Sequence, residues 1–239
     1  MIREHFQFRQ TITTILAEES AHIEAAKEGI LAARQELERL IAADPFFGAT
    51  LDPYLPASPG RVAGRMAAAG ENAGVGPMAA VAGTIAWAGV EAMRETGAAF
   101  GIVDNGGDIA LISDRPVRVG IYAGASTLSS RFAFAVPPQP EVLGICTSSA
   151  TVGPSISFGV ADAVVVFSPD VSVADAWATA LCNRLGTGDD DALFGALNGT
   201  AVTGVLAVAG EEVKRWGDLP PVVRADVSEA LITSGKGII

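Results

Sequence analysis

The spacing of apolar residues changes along the chain and divides it into predicted strands and helices. Residues 2–18 alternate apolar and polar side chains, which predicts two strands or one long bent strand. The side chains expected to face inward are Phe6, Phe8, Ile12 and Ile15. Over residues 20–42 the apolar residues recur at helical spacing behind Ser20, a candidate N-cap, so an amphipathic helix is expected there.

Two further helices are predicted from good helix formers that follow turn residues. Pro77 suits the first position of a helix over residues 77–95, and Ser172 suits the N-cap of a helix over residues 173–185 that Gly186 ends. Between these helices the chain becomes rich in short apolar runs separated by Gly, Asn and Pro. The predicted strands are 100–103, 109–112, 117–121, 131–136, 143–146 and 161–167. This order predicts an α+β fold with a largely antiparallel sheet, in one domain spanning residues 1–239.

Composition excludes some classes of partner. The chain has 239 residues, of which 49% are hydrophobic, and a formal net charge of −11, so nucleic acid and anionic membranes are not expected partners. Residues 75–90 contain no charged side chain, but a membrane-spanning helix needs about 20 predominantly apolar residues, so a buried helix is expected instead. The two cysteines lie far apart in the sequence, and the chain shows no apolar leader, so we expect free thiols and a cytoplasmic protein. The sequence does not decide whether the protein forms a homo-oligomer.

The first chemical motif is a turn between two apolar runs, formed by Asn105, Gly106, Gly107 and Asp108. Asn and Gly tolerate positive φ, so these residues suit a tight hairpin. Glycines without side chains would equally let a phosphate or a planar ring approach the backbone. Gly76, ahead of the predicted helix at Pro77, is a similar candidate, because a helix N-terminus can hold a phosphate.

The second motif follows the apolar run that ends at Cys146. The hydroxyls and turn amides of this stretch, from Thr147, Ser148, Ser149 and Thr151, suit phosphate oxygens, although Ser and Thr are also ordinary turn residues. Cys146 is a candidate thiol for catalysis or a small buried side chain. Both histidines of the chain lie near its N-terminus, which gives little support to a Cys-His mechanism.

The third motif lies on the helix predicted over residues 173–185. Asp175 and Thr179 are four residues apart and therefore share one face of that helix. Asp175 could close a capping box with Ser172, or it could bind a metal together with Thr179. Magnesium often takes only one or two protein oxygens, so this sparse pair is chemically sufficient.

Together these motifs resemble the ApbE superfamily, the magnesium-dependent FAD:protein FMN transferases. The run from Ala174 to Ala180 is similar to its A-D-A-x-A-T-A signature, residues 104–109 to its N-x-G-G-D-I turn, and residues 146–149 to its T-S-G turn. The resemblance implies a T-fold-related antiparallel core and a short, intracellular branch of the superfamily. The chain departs from the pattern at residues 153–159, where a Gly/Pro/Ser segment replaces a block containing His and Asp.

The resemblance implies binding of a phosphorylated nucleotide, FAD or FMN, with Mg²⁺ held by Asp175 and Thr179. Transferase chemistry is one expected activity. A role in sulfur assimilation into homocysteine, in which Cys146 would act as a thiol, is the alternative that the short branch suggests. A non-catalytic flavin carrier is the third.

Overall fold

The computed structural model describes residues 1–124, 126, 129–150, 161–186, 188, 190–227 and 233. Eight strands form one sheet in the order β1-β2-β3-β4-β7-β8-β9-β10, and three more form a second sheet in the order β11-β6-β5. The strands are β1 Ile2–Phe8, β2 Thr11–Ala17, β3 Gly101–Asn105, β4 Asp108–Ser113, β5 Val117–Gly120, β6 Phe132–Val136, β7 Gln139–Ser148, β8 Ala163–Ser168, β9 Gly204–Ala209, β10 Glu212–Gly217 and β11 Val222–Arg224.

The helices lie on one face of the large sheet. They are α1 Ser20–Ala43, α2 Arg61–Ala73, α3 Val81–Glu95, α4 Val171–Arg184 and the short α5 Asp190–Gly195, with 3-10 turns at Pro45–Gly48 and Pro77–Ala80. All strand pairings among the described residues are antiparallel, which confirms the predicted α+β class with a largely antiparallel core.

Two apolar clusters sandwich the large sheet. Alternate residues of its strands, such as Ile15 and Val103, pack against the helices, and the residues between them, such as Ile102, pack against the second sheet. Phe134 of the second sheet meets Phe167 of β8 edge to face, with ring centroids 4.8 Å apart. This two-sided burial explains why β8 reads as a continuous apolar run, since both of its faces are covered.

Helix starts differ from the sequence expectation at three places. Helix α1 follows Glu19, and no described side chain caps it, so Ser20 is not its N-cap. The predicted helix over 77–95 begins as the 3-10 turn Pro77–Ala80 before α3. Helix α4 starts two residues earlier than expected because Asp170 is its N-cap, accepting a hydrogen bond from the Val173 amide at 3.0 Å.

Among the described residues, no single helix is long and apolar enough to cross a bilayer. Only α2 taken together with Pro77–Glu95, a pair bent by 107°, meets both criteria.

Candidate functional site

Five of the predicted site residues meet where the β3–β4 turn, the end of β7 and the starts of α3 and α4 come together, namely Asn105, Asp108, Cys146, Thr147 and Asp175. Strand β7 pairs with β4 on one side and with β8 on the other, so Cys146 and Thr147 lie beside the beginning of β4. Helix α4 packs across β7 so closely that a side chain at Gly144 would lie 2.8 Å from the Cα of Val171. This close packing carries Asp175, one turn further along α4, over the same strand end.

Asp175 is buried, with 6% of its surface exposed, and its carboxylate reaches helix α3. Its Oδ2 accepts a hydrogen bond from the Gly83 amide at 2.8 Å, and the Ala82 amide also contributes. These amides belong to the first turn of α3, which has no cap from the side chain of its own N-cap residue, Ala80. Asp175 therefore caps a neighbouring helix, and the predicted capping box with Ser172 is wrong.

Ser172 has a different partner from the one expected. Its hydroxyl lies 2.8 Å from the Thr84 hydroxyl, which in turn donates to the Ala80 carbonyl. All three groups are buried, so this chain of hydrogen bonds joins the starts of α3 and α4 inside the core. The reason is the earlier start of α4, which places Ser172 within the helix rather than at its end.

The Asn105–Asp108 turn adopts the backbone that its glycines allow. Gly106 has φ 73° and Gly107 has φ 108°, as expected for a tight turn between paired strands. The Asn105 side chain donates to the Ala82 carbonyl at 2.9 Å, which ties the turn to the start of α3. Asp108 Oδ1 accepts from the Thr147 amide at 3.2 Å, which ties the turn to β7.

The carboxyls of Asp108 and Asp175 interact electrostatically within this buried space. Burial raises the pKa of Asp175 to about 7, partly offset by the amides of Gly83 and Ala82. Burial, and next the negative charge of Asp175, raise the pKa of Asp108 well above its ordinary value. The pair therefore resists carrying two negative charges at once.

Cys146 lies beside both carboxyls and is fully buried. Its sulfur is 3.6 Å from the Val171 carbonyl. Burial and then the charges of Asp108 and Asp175 raise the pKa of the thiol well above its ordinary value. A thiolate is therefore disfavoured at neutral pH, so the predicted thiol chemistry gains no support from the surroundings.

The remaining predicted residues are placed as follows. Thr147 and Ser148 are half-buried at the end of β7, Ser149 is buried just beyond it, and Thr179 is half-buried one turn after Asp175. Gly76 is buried against the Pro45–Gly48 side of the molecule, where a Cβ would come within 2.1 Å of the Thr50 carbonyl oxygen. This close contact with the backbone of Thr50 therefore requires glycine at position 76. Thr151 and the segment 153–159 lie outside the described residues.

Sequence reasoning missed two contributors, Gly83 and Asp104. A side chain at Gly83 would lie 2.9 Å from the Cβ of Asp175, so the close contact of α3 with α4 requires glycine. Asp104 Oδ1 accepts from the Gly107 amide at 2.9 Å. One sequence feature could have pointed to Gly83. No residue just before α3 has a side chain suited to capping it, so the amides of its first turn need an acceptor from elsewhere in the chain.

The donor set matches magnesium in chemical type, because carboxylate and hydroxyl oxygens surround the turn. Within the ranges that the structure describes, no three His, Cys, Asp or Glu side chains cluster as a metal cage. Magnesium does not need such a cage, since water and phosphate oxygens normally complete its coordination.

The comparisons with known proteins identify the family and the fold of the chain. The family model described as AbpE bacteria matches residues 3–210. A UPF0280 protein of Methanoculleus marisnigri is 70% identical over 236 residues, covering 99% of this chain and 97% of the relative. The UPF0280 protein Mbar_A3697 of Methanosarcina barkeri is 52% identical over 236 residues, covering 97% and 93%.

Solved structures show the same fold at low sequence identity. The apo flavinyl transferase ApbE of Pseudomonas stutzeri superposes with a TM-score of 0.55 at 14% identity, covering 98% of both chains. The flavin transferase ApbE of Vibrio cholerae gives a TM-score of 0.52 at 13% identity, covering 90% of this chain and 96% of the other. The chain therefore belongs to the family of the UPF0280 proteins, matched by the AbpE bacteria model, and it has the ApbE fold that its three motifs predicted.

Proposed function

We propose that this protein binds a phosphorylated flavin nucleotide, FAD or FMN, together with Mg²⁺ at the junction of the β3–β4 turn, β7 and α4. The observation that carries the proposal is the meeting of two aspartates from separate elements, Asp108 and Asp175, beside a turn with two positive-φ glycines. The named function of the fold neighbours, flavin transfer, supports the choice of a flavin nucleotide.

The electrostatics support a cation at this place. Two buried carboxyls, of which Asp175 raises the pKa of Asp108, gain most from a neighbouring positive charge. Among the described residues, the largest interactions that act on Asp108 come from burial, Asp175, the Thr147 amide, Asp104 and Cys146, and those that act on Asp175 come from burial and two backbone amides, so none comes from a basic side chain. Asp175 and Thr179 would hold the magnesium ion, which when bound offsets charge developing on a pyrophosphate.

The turn and the end of β7 would receive the phosphate. Gly106 and Gly107 carry no side chain, and no other described atom would lie within 4 Å of a Cβ at Gly106, so a ligand can approach this backbone. Thr147, Ser148 and Ser149 present hydroxyls at the adjoining strand end. Their hydrogen bonds would orient phosphate oxygens without adding negative charge to the site.

Binding and transfer are separable parts of the proposal. Proton transfer from an acceptor hydroxyl contributes roughly 10²–10⁴ in rate and needs a titratable group. The segment 151–158, which replaces the block containing His and Asp, carries no titratable side chain. We therefore expect tight nucleotide binding with slow transfer. The sulfur-assimilation alternative needs a reactive Cys146, and the raised pKa of that thiol does not favour it.

Titration calorimetry with FAD, with and without Mg²⁺, tests the proposal. Wild-type protein should bind FAD more tightly with Mg²⁺, and Asp175→Asn should lose that difference. Asp170→Asn is the matched control, because it also neutralises a carboxylate at the start of α4 while asparagine still caps the helix. Equal Mg²⁺ dependence in wild type and Asp175→Asn would remove the metal role and leave Asp175 as the cap of α3.

A further inference from the structure

A second group of hydrogen bonds holds the Asn105–Asp108 turn from the face of the sheet opposite the helices. Asp104 precedes the turn and pairs with Thr14 of β2, while Asn105 points to the helix side and bonds the Ala82 carbonyl. Asp104 uses both carboxylate oxygens. Oδ1 accepts from the Gly107 amide at 2.9 Å, and Oδ2 accepts from the Thr233 hydroxyl at 2.6 Å.

Thr233 comes from the far end of the chain, 129 residues after Asp104. It is buried, with 5% of its surface exposed, and its hydroxyl lies 2.7 Å from that of Thr14. Thr14 Oγ1 is also 3.0 Å from His5 Nδ1. Each hydroxyl has one proton, so Thr233 donates to the carboxylate and accepts from Thr14 when every group is satisfied. The bonds then align toward Asp104 and strengthen one another.

The turn depends on these polar contacts because packing does little to hold it. Apart from each glycine and its two chain neighbours, no described atom lies within 4 Å of the position that a Cβ would take at Gly106, and the nearest at Gly107 is Thr147 Cβ at 3.9 Å. Glycine also has more backbone freedom to lose than any other residue. The side chains of Asn105, Asp104 and Asp108 therefore fix the turn, and Thr233 fixes the orientation of Asp104.

We propose that Asp104 and Thr233 are positioning residues that hold the Gly106–Gly107 backbone in the geometry that receives the nucleotide phosphate. The proposal rests on the proposed function of this turn as a phosphate site. It adds that the C-terminal part of the chain, through Thr233, contributes to ligand affinity although it lies on the opposite face of the sheet from Asp175. A preorganised turn binds more tightly because less freedom is lost on binding.

The test compares Thr233→Val with Thr233→Ser in the whole chain of 239 residues. Valine keeps the shape of threonine but removes the hydroxyl, whereas serine retains it. We expect Thr233→Val to weaken FAD binding in the presence of Mg²⁺ by roughly five- to tenfold, the effect of one lost hydrogen bond. Thr233→Ser should bind like wild type, and Asp104→Ala, which removes both bonds, should bind more weakly than Thr233→Val.

Thr13→Val is the matched control for a purely structural effect. Thr13 is buried on the neighbouring position of β2, and its hydroxyl donates to the Phe6 carbonyl at 3.2 Å, away from Asp104. It should lower the melting temperature without changing the dissociation constant for FAD. If Thr233→Val likewise lowers melting and leaves the dissociation constant unchanged, the positioning role is overturned.

Hydrogen exchange of the backbone amides tests the positioning of the turn independently of whether the proposed function is correct. If wild-type protein does not bind FAD, the proposed function fails, but exchange of the Gly107 amide still reports the turn. Faster exchange in Thr233→Val than in Thr233→Ser and Thr13→Val would uphold the positioning of the turn. Equal exchange in the three variants would refute it.

Discussion

The pH dependence of stability should change in a specific way when Asp175 is replaced by asparagine. In wild type the carboxylate accepts the amides of Gly83 and Ala82, and burial raises its pKa. The asparagine side chain cannot ionise, and it keeps one neutral acceptor oxygen where the carboxylate has two. We therefore expect two effects, a weaker cap on α3 at every pH and the removal of a titrating group.

The magnitude follows from the difference between the folded and unfolded pKa values. The pKa of Asp175 rises from an ordinary 3.8 to about 7, so between these pH values the folded protein holds a proton that the unfolded chain has lost. Stability from this group is complete below about pH 4 and is lost as pH rises toward 7. A tenfold change in proton affinity equals about 1.4 kcal/mol, so the loss is bounded at about 4 kcal/mol.

Against this, the weakened cap of α3 costs the variant at most about 1 kcal/mol at all pH values. Asp175→Asn should therefore be less stable than wild type at pH 5, and the difference should shrink or reverse by pH 8. The Asp108 carboxyl adds to the trend, because it no longer faces the charge of Asp175 in the variant.

Urea unfolding at pH 5, 6, 7 and 8 in a buffer with a chelator measures these curves. Thr13→Val serves as the control, because it removes a buried hydroxyl and no titratable group, so its curve should be displaced from wild type by a constant amount. If the Asp175→Asn curve also runs parallel to wild type, Asp175 does not titrate in this range and the argument from burial is refuted.

Four other experiments probe the remaining parts of the site. Gly107→Val should lower stability by about 1–3 kcal/mol, because valine is strained at φ 108°, and an unchanged melting temperature would contradict the strained turn. Asp108→Asn keeps an acceptor for the Thr147 amide, so it should melt normally yet bind FAD less tightly; unchanged affinity would favour a plain hairpin. Cys146 and Cys182 are buried, so a thiol reagent should react slowly until the protein unfolds; fast labelling of Cys146 would contradict its burial. Incubation with FAD, Mg²⁺ and an acceptor peptide should give little covalent flavin fluorescence, and robust labelling that needs Asp175 would show that the segment 151–158 does not limit transfer.

The sequence predicted the architecture well because its signals were local. Alternation over residues 2–18, the helical period over 20–42 and the glycine turn at 106–107 each specify a conformation without distant contacts. Their outcomes are β1, β2, α1 and the paired β3–β4 turn. The strands β10 and β11, which follow residue 210, were not predicted. Strand β10 lies exposed at the edge of the sheet, and its apolar residues show little alternation.

The partners within the site could not be predicted, because they are set by which helix ends meet in space. Asp175 was expected to cap its own helix, but it accepts from Gly83, 92 residues earlier. Asp104 is joined to Thr233 across 129 residues. No spacing rule links such pairs, because contacts between elements far apart in the sequence bring them together. The roles of Thr179 and the β7 hydroxyls stay predictions.

Because the Gly83 amide donates to the Asp175 carboxylate, this amide at the start of α3 should respond to any ligand that binds the carboxylate. An ion drawn to Asp175 would compete with the amides of Ala82 and Gly83 for the same oxygen atoms. Binding of a ligand would then change the nitrogen chemical shift and the hydrogen-exchange rate of the Gly83 amide. In protein enriched with nitrogen-15, a single amide signal would thus follow occupancy of the site with no substrate analogue.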